Sequence, residues 1–346
     1  MAYLNHIQTA EAPYEYPQNL MADWLLDGIE PVAHRKYKWL LTHAGIETRR
    51  CVLPDFIPDY GIKELYKTSG SPGIKERMQL FDRKSEELIG SFKEKFFDQI
   101  AKSHAEVTHL ITVSCTGISA PGLDFKMQQF LSLCPNVFRF SINFMGCYAA
   151  FHALKLAKII CDSESKAKVL IVDVELCSLH FQTGHSEDEI LANGLFADGA
   201  AMALVSNEKR GLQLKSFFQR TAENTADQMA WSLSGHQFEM RLSTYVPDVL
   251  SLNISSFLSD NFKEEINDYA IHPGGKKILE ECGKSLAIAP EYLRESKMVL
   301  AKYGNMSSVT ILYVLKEKMK KPKTGNIFAA SFGPGLTMEG GILSYS

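Results

Sequence analysis

The chain has 346 residues, of which 45% are hydrophobic, and its formal net charge is −3. This length allows two ordinary domains or one large α/β unit, and the hydrophobic content excludes a disordered chain. A near-neutral charge without a run of five basic residues excludes a protein that binds nucleic acid with a whole face.

The amino terminus and the cysteines indicate the compartment. The first ten residues lack the basic start and apolar core of a signal peptide. No apolar stretch reaches the roughly 18 residues of a membrane span. The seven cysteines include no CxxC pair, so neither a disulfide framework nor a zinc site is indicated. We therefore expect a soluble, cytoplasmic protein without a bound metal.

The predicted elements change character near residue 109. Residues 31–41 and 75–100 carry apolar residues at helical spacing, so the first hundred residues are predicted to be mostly helical. Strands and helices then alternate, which is typical of an α/β fold. The pattern predicts strands at 109–115, 138–143, 169–175, 198–206, 212–218, 269–271 and 326–332, and helices at 122–133, 148–158, from 276 onwards and at 308–319. A polar turn at 207–211 divides the chain into halves 1–208 and 209–346.

Cys147 is the first candidate catalytic residue. It follows Gly146 at the junction between a predicted strand and a predicted helix, where backbone N–H groups and the helix dipole favour a thiolate over a thiol. A thiol with a pKa of about 8.5 is only a few per cent ionised at pH 7, so a nucleophilic cysteine needs a helix dipole, a protonated histidine nearby, or both. The alternative is a small buried side chain, the usual role of a free cysteine in an α/β protein.

His272 and Asn305 are the partners that could complete a site with Cys147. His272 is followed by a proline and two glycines, a turn that would hold the imidazole in one orientation, although an exposed turn histidine is equally compatible with the pattern. Asn305 follows Gly304 and precedes a predicted helix, where it could cap the helix or donate its amide to a developing oxyanion.

Six segments together resemble the type III polyketide synthases, the chalcone-synthase-like members of the thiolase superfamily. They occur in the order of that family and span roughly residues 109 to 340. The segments are CTGISAPGLD (115–124), NFMGC (143–147), GLFADGAA (194–201), HPGG (272–275), GNMSS (304–308) and SFGPGLT (331–337).

The resemblance implies a fold and an activity. The fold is α/β and thiolase-like, with two similar halves whose mixed sheets stack in a five-layer αβαβα sandwich, usually as a homodimer. The first half would carry Cys147, which holds the acyl chain, and the second His272 and Asn305, which act on thioester carbonyls. The substrates would be an acyl-CoA and malonyl-CoA, joined by decarboxylative condensation without a metal or redox cofactor.

The resemblance also assigns residues to the substrate. Phe196 matches a gatekeeper between the CoA tunnel and the cavity, and Met240 falls at the second gate. Gly274, Ser307, Phe332, Gly333 and Pro334 belong to motifs that contact the substrate. The cations Arg35, Lys36 and Lys38 fall where the family binds CoA phosphates, although a solvated helix face fits them equally well.

Three cavity positions bear on the choice of substrate. Ala120 stands where plant members carry a methionine, and Cys115 and Cys177 stand where they carry threonines. Removing the methionine opens room worth several methylene groups, each contributing roughly 0.8 kcal/mol of apolar burial. We therefore expect a long-chain acyl starter and an alkylpyrone or alkylresorcinol product, as in bacterial members. The alternative is a synthase primed by malonyl-CoA that uses Cys115 and makes a tetrahydroxynaphthalene.

Three other classes of function share parts of this pattern. Papain-like proteases have the same order of Cys, His and Asn, but they carry a different cysteine motif and are usually secreted with disulfides. A ketoacyl-ACP synthase III-like enzyme would share the fold and the three residues, but HPGG and the Gly333–Gly335 loop favour the polyketide synthase. A binding protein without catalysis has no reason to retain all three reactive side chains.

Overall fold

A computed structural model describes residues 1–56, 62–66, 71–100, 104–182, 186–234, 238–243, 245–321 and 323–345. Its strands are β1 (Ala2–Ala10), β2 (Tyr14–Pro17), β3 (Thr48–Cys51), β4 (His109–Ser114), β5 (Phe138–Asn143), β6 (Lys168–Leu176), β7 (Asp198–Ser206), β8 (Leu212–Thr221), β9 (Met229–Leu233), β10 (Phe238–Leu242), β11 (Asp268–Ile271), β12 (Asn326–Gly333) and β13 (Thr337–Tyr345). Its helices are α1 (Gln18–Leu25), α2 (Pro31–Thr42), α3 (Ile74–Gly90), α4 (Lys93–Ile100), α5 (Leu123–Phe130), α6 (Ala149–Ser163), α7 (Glu187–Leu195), α8 (Val246–Asn261), α9 (Lys276–Ser285), α10 (Arg294–Tyr303) and α11 (Val309–Met319).

The main sheet repeats one pairing pattern on either side of its middle. Its nine strands lie in the order β11-β12-β13-β8-β1-β7-β6-β4-β5. On one side β4 pairs parallel with β6, and β6–β7 and β7–β1 are antiparallel. On the other side β11 pairs parallel with β12, and β12–β13 and β13–β8 are antiparallel. The antiparallel pair β1–β8 joins the two sides into one continuous sheet.

The two faces of each half-sheet pack into different cores. Leu170 and Val172 of β6 belong to a core that includes buried residues of α3, α4 and α5, whereas Ile171 faces a central core with α6 and α11. In the other half Ala329 of β12 faces the same central core, and Phe328 faces a third core with α8 and α9. The layers are therefore helix, sheet, helix, sheet, helix, and the predicted α/β architecture is confirmed.

The central helices α6 and α11 occupy matching places in the two halves. Each precedes the innermost parallel strand of its half, β6 or β12, and each presents a wide apolar face to the central core between the half-sheets. Cys147 lies just before α6, and Asn305 lies four residues before α11. The repeat therefore brings these two residues, 158 positions apart in sequence, to the starts of neighbouring helices.

Two predictions about the first hundred residues are wrong. Residues 2–10 form the strand β1 at the middle of the sheet, between β7 and β8. Most of its side chains, polar as well as apolar, are buried there, so the sequence does not show the alternation of apolar and polar residues by which a strand is recognised. The single helix predicted at 75–100 is two helices, α3 and α4, separated after Gly90. The turn at 207–211 does join β7 to β8, but the division into halves at residue 208 stays a prediction.

Within the described ranges, no helix combines the length and apolar character that crossing a membrane requires.

Candidate active site

Cys147 lies in a tight turn that only glycine permits at the preceding position. Gly146 has a φ of +85°, and a Cβ there would lie 2.2 Å from Cδ of Pro334, so both backbone conformation and space exclude other side chains. The carbonyl of Cys147 accepts a hydrogen bond from Ser331 Oγ at 2.7 Å. The nucleophile is thereby fixed against the end of β12.

Asn305 is held beside Cys147 by backbone and side-chain bonds. Its N–H donates to the Leu195 carbonyl at 3.0 Å, and its carbonyl accepts from Ala197 N–H at 2.8 Å. Its Oδ1 accepts from Ser307 N–H at 2.9 Å and its Nδ2 donates to the Gly274 carbonyl at 3.3 Å. The side chains of Ser307 and Asn305 both act on the Cys147 thiol by lowering its pKa. The amide is therefore placed to act on a group bound to that sulfur.

His272 follows β11 and is tied to the same strand as Cys147. Its N–H donates to the Ala330 carbonyl at 2.8 Å, next to the serine that bonds Cys147. Its ring is 1% exposed, and neither ring nitrogen has a hydrogen-bond partner among the described residues. Gly274 lies over the ring and its carbonyl accepts from Asn305. The three predicted catalytic residues are thus gathered around the end of β12.

Burial sets the protonation of the site. It raises the pKa of the Cys147 thiol to about 12, although hydrogen bonds from Ser307 and Asn305 act in the opposite direction. Burial also lowers the pKa of His272 to about 3. The helix start was predicted to favour a thiolate, but desolvation outweighs it here. Both shifts favour the neutral thiol and the neutral imidazole at physiological pH.

A largely apolar cavity opens in front of Cys147. The enclosed space is narrow, about 40 Å³, and the total rises to about 570 Å³ only when the solvent-open mouth is counted. Of the residues that the sequence assigned to the substrate, Cys115, Cys177, Phe196, Met240, Ser307 and Pro334 line it. The remaining walls are Thr116, Gly146, His180, Phe181, Gln182, Ala192, Asn193, Met229 and Trp231.

Four other predicted substrate residues lie outside the cavity lining. Ala120 is on an exposed loop with Ser119 and Pro121, so the structure does not bring it to the cavity. Phe332 is buried in the outer core of the second half. Gly333 lies against the Tyr148 ring, where a Cβ would be 2.7 Å from Cδ1. Gly274 contacts His272 and Asn305 instead of the cavity space.

The three predicted CoA-binding cations lie on α2. Lys36 pairs with Glu187 at 3.1 Å and Lys38 pairs with Asp23, while Arg35 is exposed. The opposite face of α2 packs through Leu41 against Gly194 of α7, and α7 supplies Ala192 and Asn193 to the cavity wall. The cations are therefore one helix removed from the cavity.

Two buried polar groups that support the site gave no signal in the sequence. Arg49 is fully buried, and its Nη1 donates to the Asn193 and Phe196 carbonyls, which fixes the end of α7 and the predicted gatekeeper. Glu175 accepts from Cys115 N–H at 2.9 Å and from Ser308 Oγ at 2.7 Å, and so joins the two halves behind the cavity. Long-range contacts of this kind leave no periodic pattern that a single sequence could reveal.

No group of three or more His, Cys, Asp or Glu side chains in the described part of the chain could hold a metal ion. That the enzyme needs no cofactor stays a prediction.

Comparison with known proteins identifies the family. Residues 15–209 match the model of the chalcone and stilbene synthase N-terminal domain, and residues 213–345 match the C-terminal domain. The chain is 32% identical over 286 residues to the alpha-pyrone synthesis polyketide synthase-like Pks18 of Mycobacterium tuberculosis, covering 77% of this chain and 72% of that protein.

Two further relatives come from Dictyostelium. A probable polyketide synthase 1 of Dictyostelium discoideum is 32% identical over 256 residues, which are 69% of this chain but only 8% of that much longer protein. The crystal structure of the C-terminal type III polyketide synthase domain of Steely1, a type I/III hybrid, superposes with a TM-score of 0.90 at 25% identity, covering 99% of both chains. With both family models matched, the chain belongs to the chalcone and stilbene synthase family and is a type III polyketide synthase, a condensing acyltransferase.

Proposed function

We propose that the enzyme loads an acyl group from acyl-CoA onto Cys147 and extends it with malonyl-CoA. The observation that carries this proposal is the Cys147 thiol at the cavity wall, whose pKa the Asn305 and Ser307 side chains lower, and the His272 imidazole, which has no partner among the described residues and belongs to a residue whose backbone N–H is bonded to the same end of β12. A neutral imidazole can accept the thiol proton as sulfur attacks the thioester, and can return it to the departing CoA sulfur.

Chain extension uses the same residues. Loss of CO₂ from malonyl-CoA breaks a carbon–carbon bond and leaves the electron pair on a thioester enolate. Asn305 Nδ2 and the single N–H of the neutral His272 imidazole are the donors that would stabilise its oxygen. The enolate carbon then attacks the Cys147 thioester, forming a carbon–carbon bond and releasing the Cys147 thiolate, which is ready for the next acyl transfer.

A long acyl chain is the starter that we propose. The cavity walls are mostly apolar, and Cys115 and Cys177 keep the space beside Cys147 free of larger side chains. The similarity to Pks18, whose name describes alpha-pyrone synthesis, supports an alkylpyrone, with an alkylresorcinol as the related product of the same chain. Arg35, Lys36 and Lys38 remain the residues proposed to bind the CoA phosphates.

Cys115 carries the second candidate, a synthase primed by malonyl-CoA, because its thiol lines the same cavity. Its sulfur, however, accepts a hydrogen bond from Gly146 N–H at 2.9 Å. Burial and the neighbouring Glu175 also raise the pKa of the Cys115 thiol well above its usual range. Both features favour a packing role over a second nucleophile.

A starter panel separates the two candidates. We expect purified enzyme to incorporate lauroyl- or palmitoyl-CoA with malonyl-CoA and to give pyrones or resorcinols whose mass follows the starter. Liquid chromatography with mass spectrometry measures this directly. Efficient product from malonyl-CoA alone, without incorporation of either long chain, would contradict the long-chain starter and support the malonyl-primed alternative.

A homodimer is proposed from the edge of the main sheet. The edge strand β5 leaves one row of backbone groups unpaired in the described residues, and its Phe138 and Phe140 are 63% and 38% exposed. A second copy of the chain would cover both. We expect a dimeric mass in sedimentation and a largely monomeric Phe140→Glu variant. Leu252→Glu, at another exposed apolar residue, is the control and should remain dimeric.

A further inference from the structure

His180 is a polar residue of the cavity wall that has no role in the proposed condensation. It is 4% exposed and lines the cavity together with Cys147. Among the cavity-lining residues that the structure describes, only His180 has a buried side-chain nitrogen or oxygen without a hydrogen-bond partner, and this atom is Nδ1. A buried polar atom normally has a hydrogen-bond partner, so this nitrogen is free to bond a molecule that enters the cavity.

The tautomer of His180 follows from its other nitrogen. Nε2 lies 2.7 Å from the carbonyl oxygen of Thr116, and a carbonyl can only accept, so the proton is on Nε2. A neutral imidazole with Nε2–H has a lone pair on Nδ1 and offers it as an acceptor. Burial lowers the pKa of His180 to about 3, so the ring remains neutral at physiological pH.

The ring is fixed in place by aromatic neighbours. It stacks on Phe238 with ring centres 4.4 Å apart and an interplanar angle of 6°, and Trp231 meets it nearly perpendicularly at 5.7 Å. Trp231 Nε1 in turn donates to the Cys115 carbonyl at 2.8 Å. Adjacent carbonyls of Cys115 and Thr116 therefore anchor Trp231 and His180. The acceptor cannot turn away without breaking these contacts.

The proposed function supplies a matching donor. A chain built by successive malonyl extensions carries 1,3-dicarbonyl units, which interconvert with enols that have an O–H group, whereas the keto form has no donor. Resting on that function, we propose that His180 is a specificity-determining residue whose Nδ1 accepts a hydrogen bond from an enol or phenol hydroxyl of the polyketide. It thereby selects one tautomer and one placement of the chain before ring closure.

Two substitutions separate this role from a purely structural one. In His180→Gln the amide nitrogen can replace Nε2 and keep the bond to Thr116, but no acceptor remains at the Nδ1 position. In His180→Asn the amide oxygen can take the place of Nδ1 as the acceptor, but the shorter side chain no longer reaches the Thr116 carbonyl. The probes are 5-pentylresorcinol and its dimethyl ether, which lacks both hydroxyl donors, and the measurement is the dissociation constant of each by calorimetry.

The ratio of the dissociation constants for the ether and the resorcinol measures the preference for the resorcinol. We expect this ratio to be about tenfold larger for wild type than for His180→Gln, which is the effect of one lost hydrogen bond. His180→Asn should retain most of the preference. An unchanged preference in His180→Gln, or a loss in His180→Asn as well, would overturn the assignment to Nδ1. Because binding is measured without turnover, this result is independent of whether the starter panel yields a polyketide.

A measurement on wild type covers the case in which a variant does not fold. In ¹⁵N-histidine-labelled enzyme, addition of 5-pentylresorcinol should move the Nδ1 resonance of His180, and the dimethyl ether should leave it in place. Equal responses to the two compounds would overturn the proposal.

Discussion

Replacement of Cys147 by alanine is expected to reduce condensation of acyl-CoA with malonyl-CoA by on the order of 10³-fold or more, because the acyl chain loses its attachment point. Decarboxylation of malonyl-CoA should remain measurable, since His272 and Asn305, which would stabilise the enolate, are still present. Two assays check this: polyketide formation by mass spectrometry, and CO₂ release from labelled malonyl-CoA. Intact-protein mass should show an acyl adduct on wild type and none on the variant.

Two comparison variants sharpen this result. His272→Ala should lose both condensation and CO₂ release, because the enolate loses a donor and the thiol loses its proton acceptor. Cys161→Ala is the matched control, since Cys161 is buried on α6, the helix that follows Cys147, and its thiol donates to the Val205 carbonyl away from the cavity. It should retain activity. Condensation that survives in Cys147→Ala would show that another thiol, with Cys115 the first to examine, is the nucleophile.

The repeat within the fold explains why the site combines residues from both halves. Cys147 and Asn305 precede the equivalent helices α6 and α11, and His272 follows β11 as Cys115 follows the equivalent strand β4. The repeat thus places two side chains from each half at equivalent positions. Cys147, His272 and Asn305 are the predicted catalytic residues, and Cys115 lines the cavity. The proposed catalytic site therefore draws its residues from both halves of the chain.

The sequence predicted the elements whose pattern is local. Nearly continuous apolar runs such as 169–175 and 198–206 became the strands β6 and β7, because strands covered on both faces are apolar throughout. β1 was missed because its mixed pattern makes sense only with β7 and β8 beside it. The motifs around Cys147, His272 and Asn305 predicted that these residues share a site; the structure ties Cys147 and His272 to the end of β12, and their catalytic roles stay predictions.

The sequence could not reveal the walls of the cavity or the state of its charges. His180 and Trp231 reach the cavity from distant segments, and no spacing connects them. The expected thiolate at Cys147 rests on a helix start and a protonated histidine, whereas the desolvation that raises the pKa of this thiol depends on every neighbour that folding brings in. Ala120 was assigned to the cavity by its motif, but its loop is exposed in this chain.

Replacement of Lys318 by methionine should destabilise the fold by up to about 3–5 kcal/mol, because it removes the one buried cation that two carboxylates share and leaves each with only a more exposed partner. Lys318 is 2% exposed, and its Nζ contacts Asp268 Oδ1 at 2.7 Å and Glu295 Oε2 at 2.9 Å. It ties α11 to β11 and α10, the elements that carry or flank His272 and Asn305. Urea-induced unfolding at pH 7 measures the difference. Lys320→Met, on an exposed pair with Glu317, is the control and should cost under about 0.5 kcal/mol.

The pH dependence of this difference identifies its cause. Burial would raise the pKa of Glu295, but hydrogen bonds from Lys318 and Arg294 lower it to about 2, and Lys318 and Lys323 likewise lower the pKa of Asp268 against its burial. Carboxylates with lowered pKa values stabilise the fold above their unfolded values of about 4 and lose this effect as pH falls toward 2. The difference in free energy of unfolding between wild type and Lys318→Met should therefore reach its full value above about pH 5 and become smaller as the pH falls toward 2. A difference that stayed constant from pH 7 to pH 3 would show that lost packing, not unpaired carboxylates, causes the destabilisation.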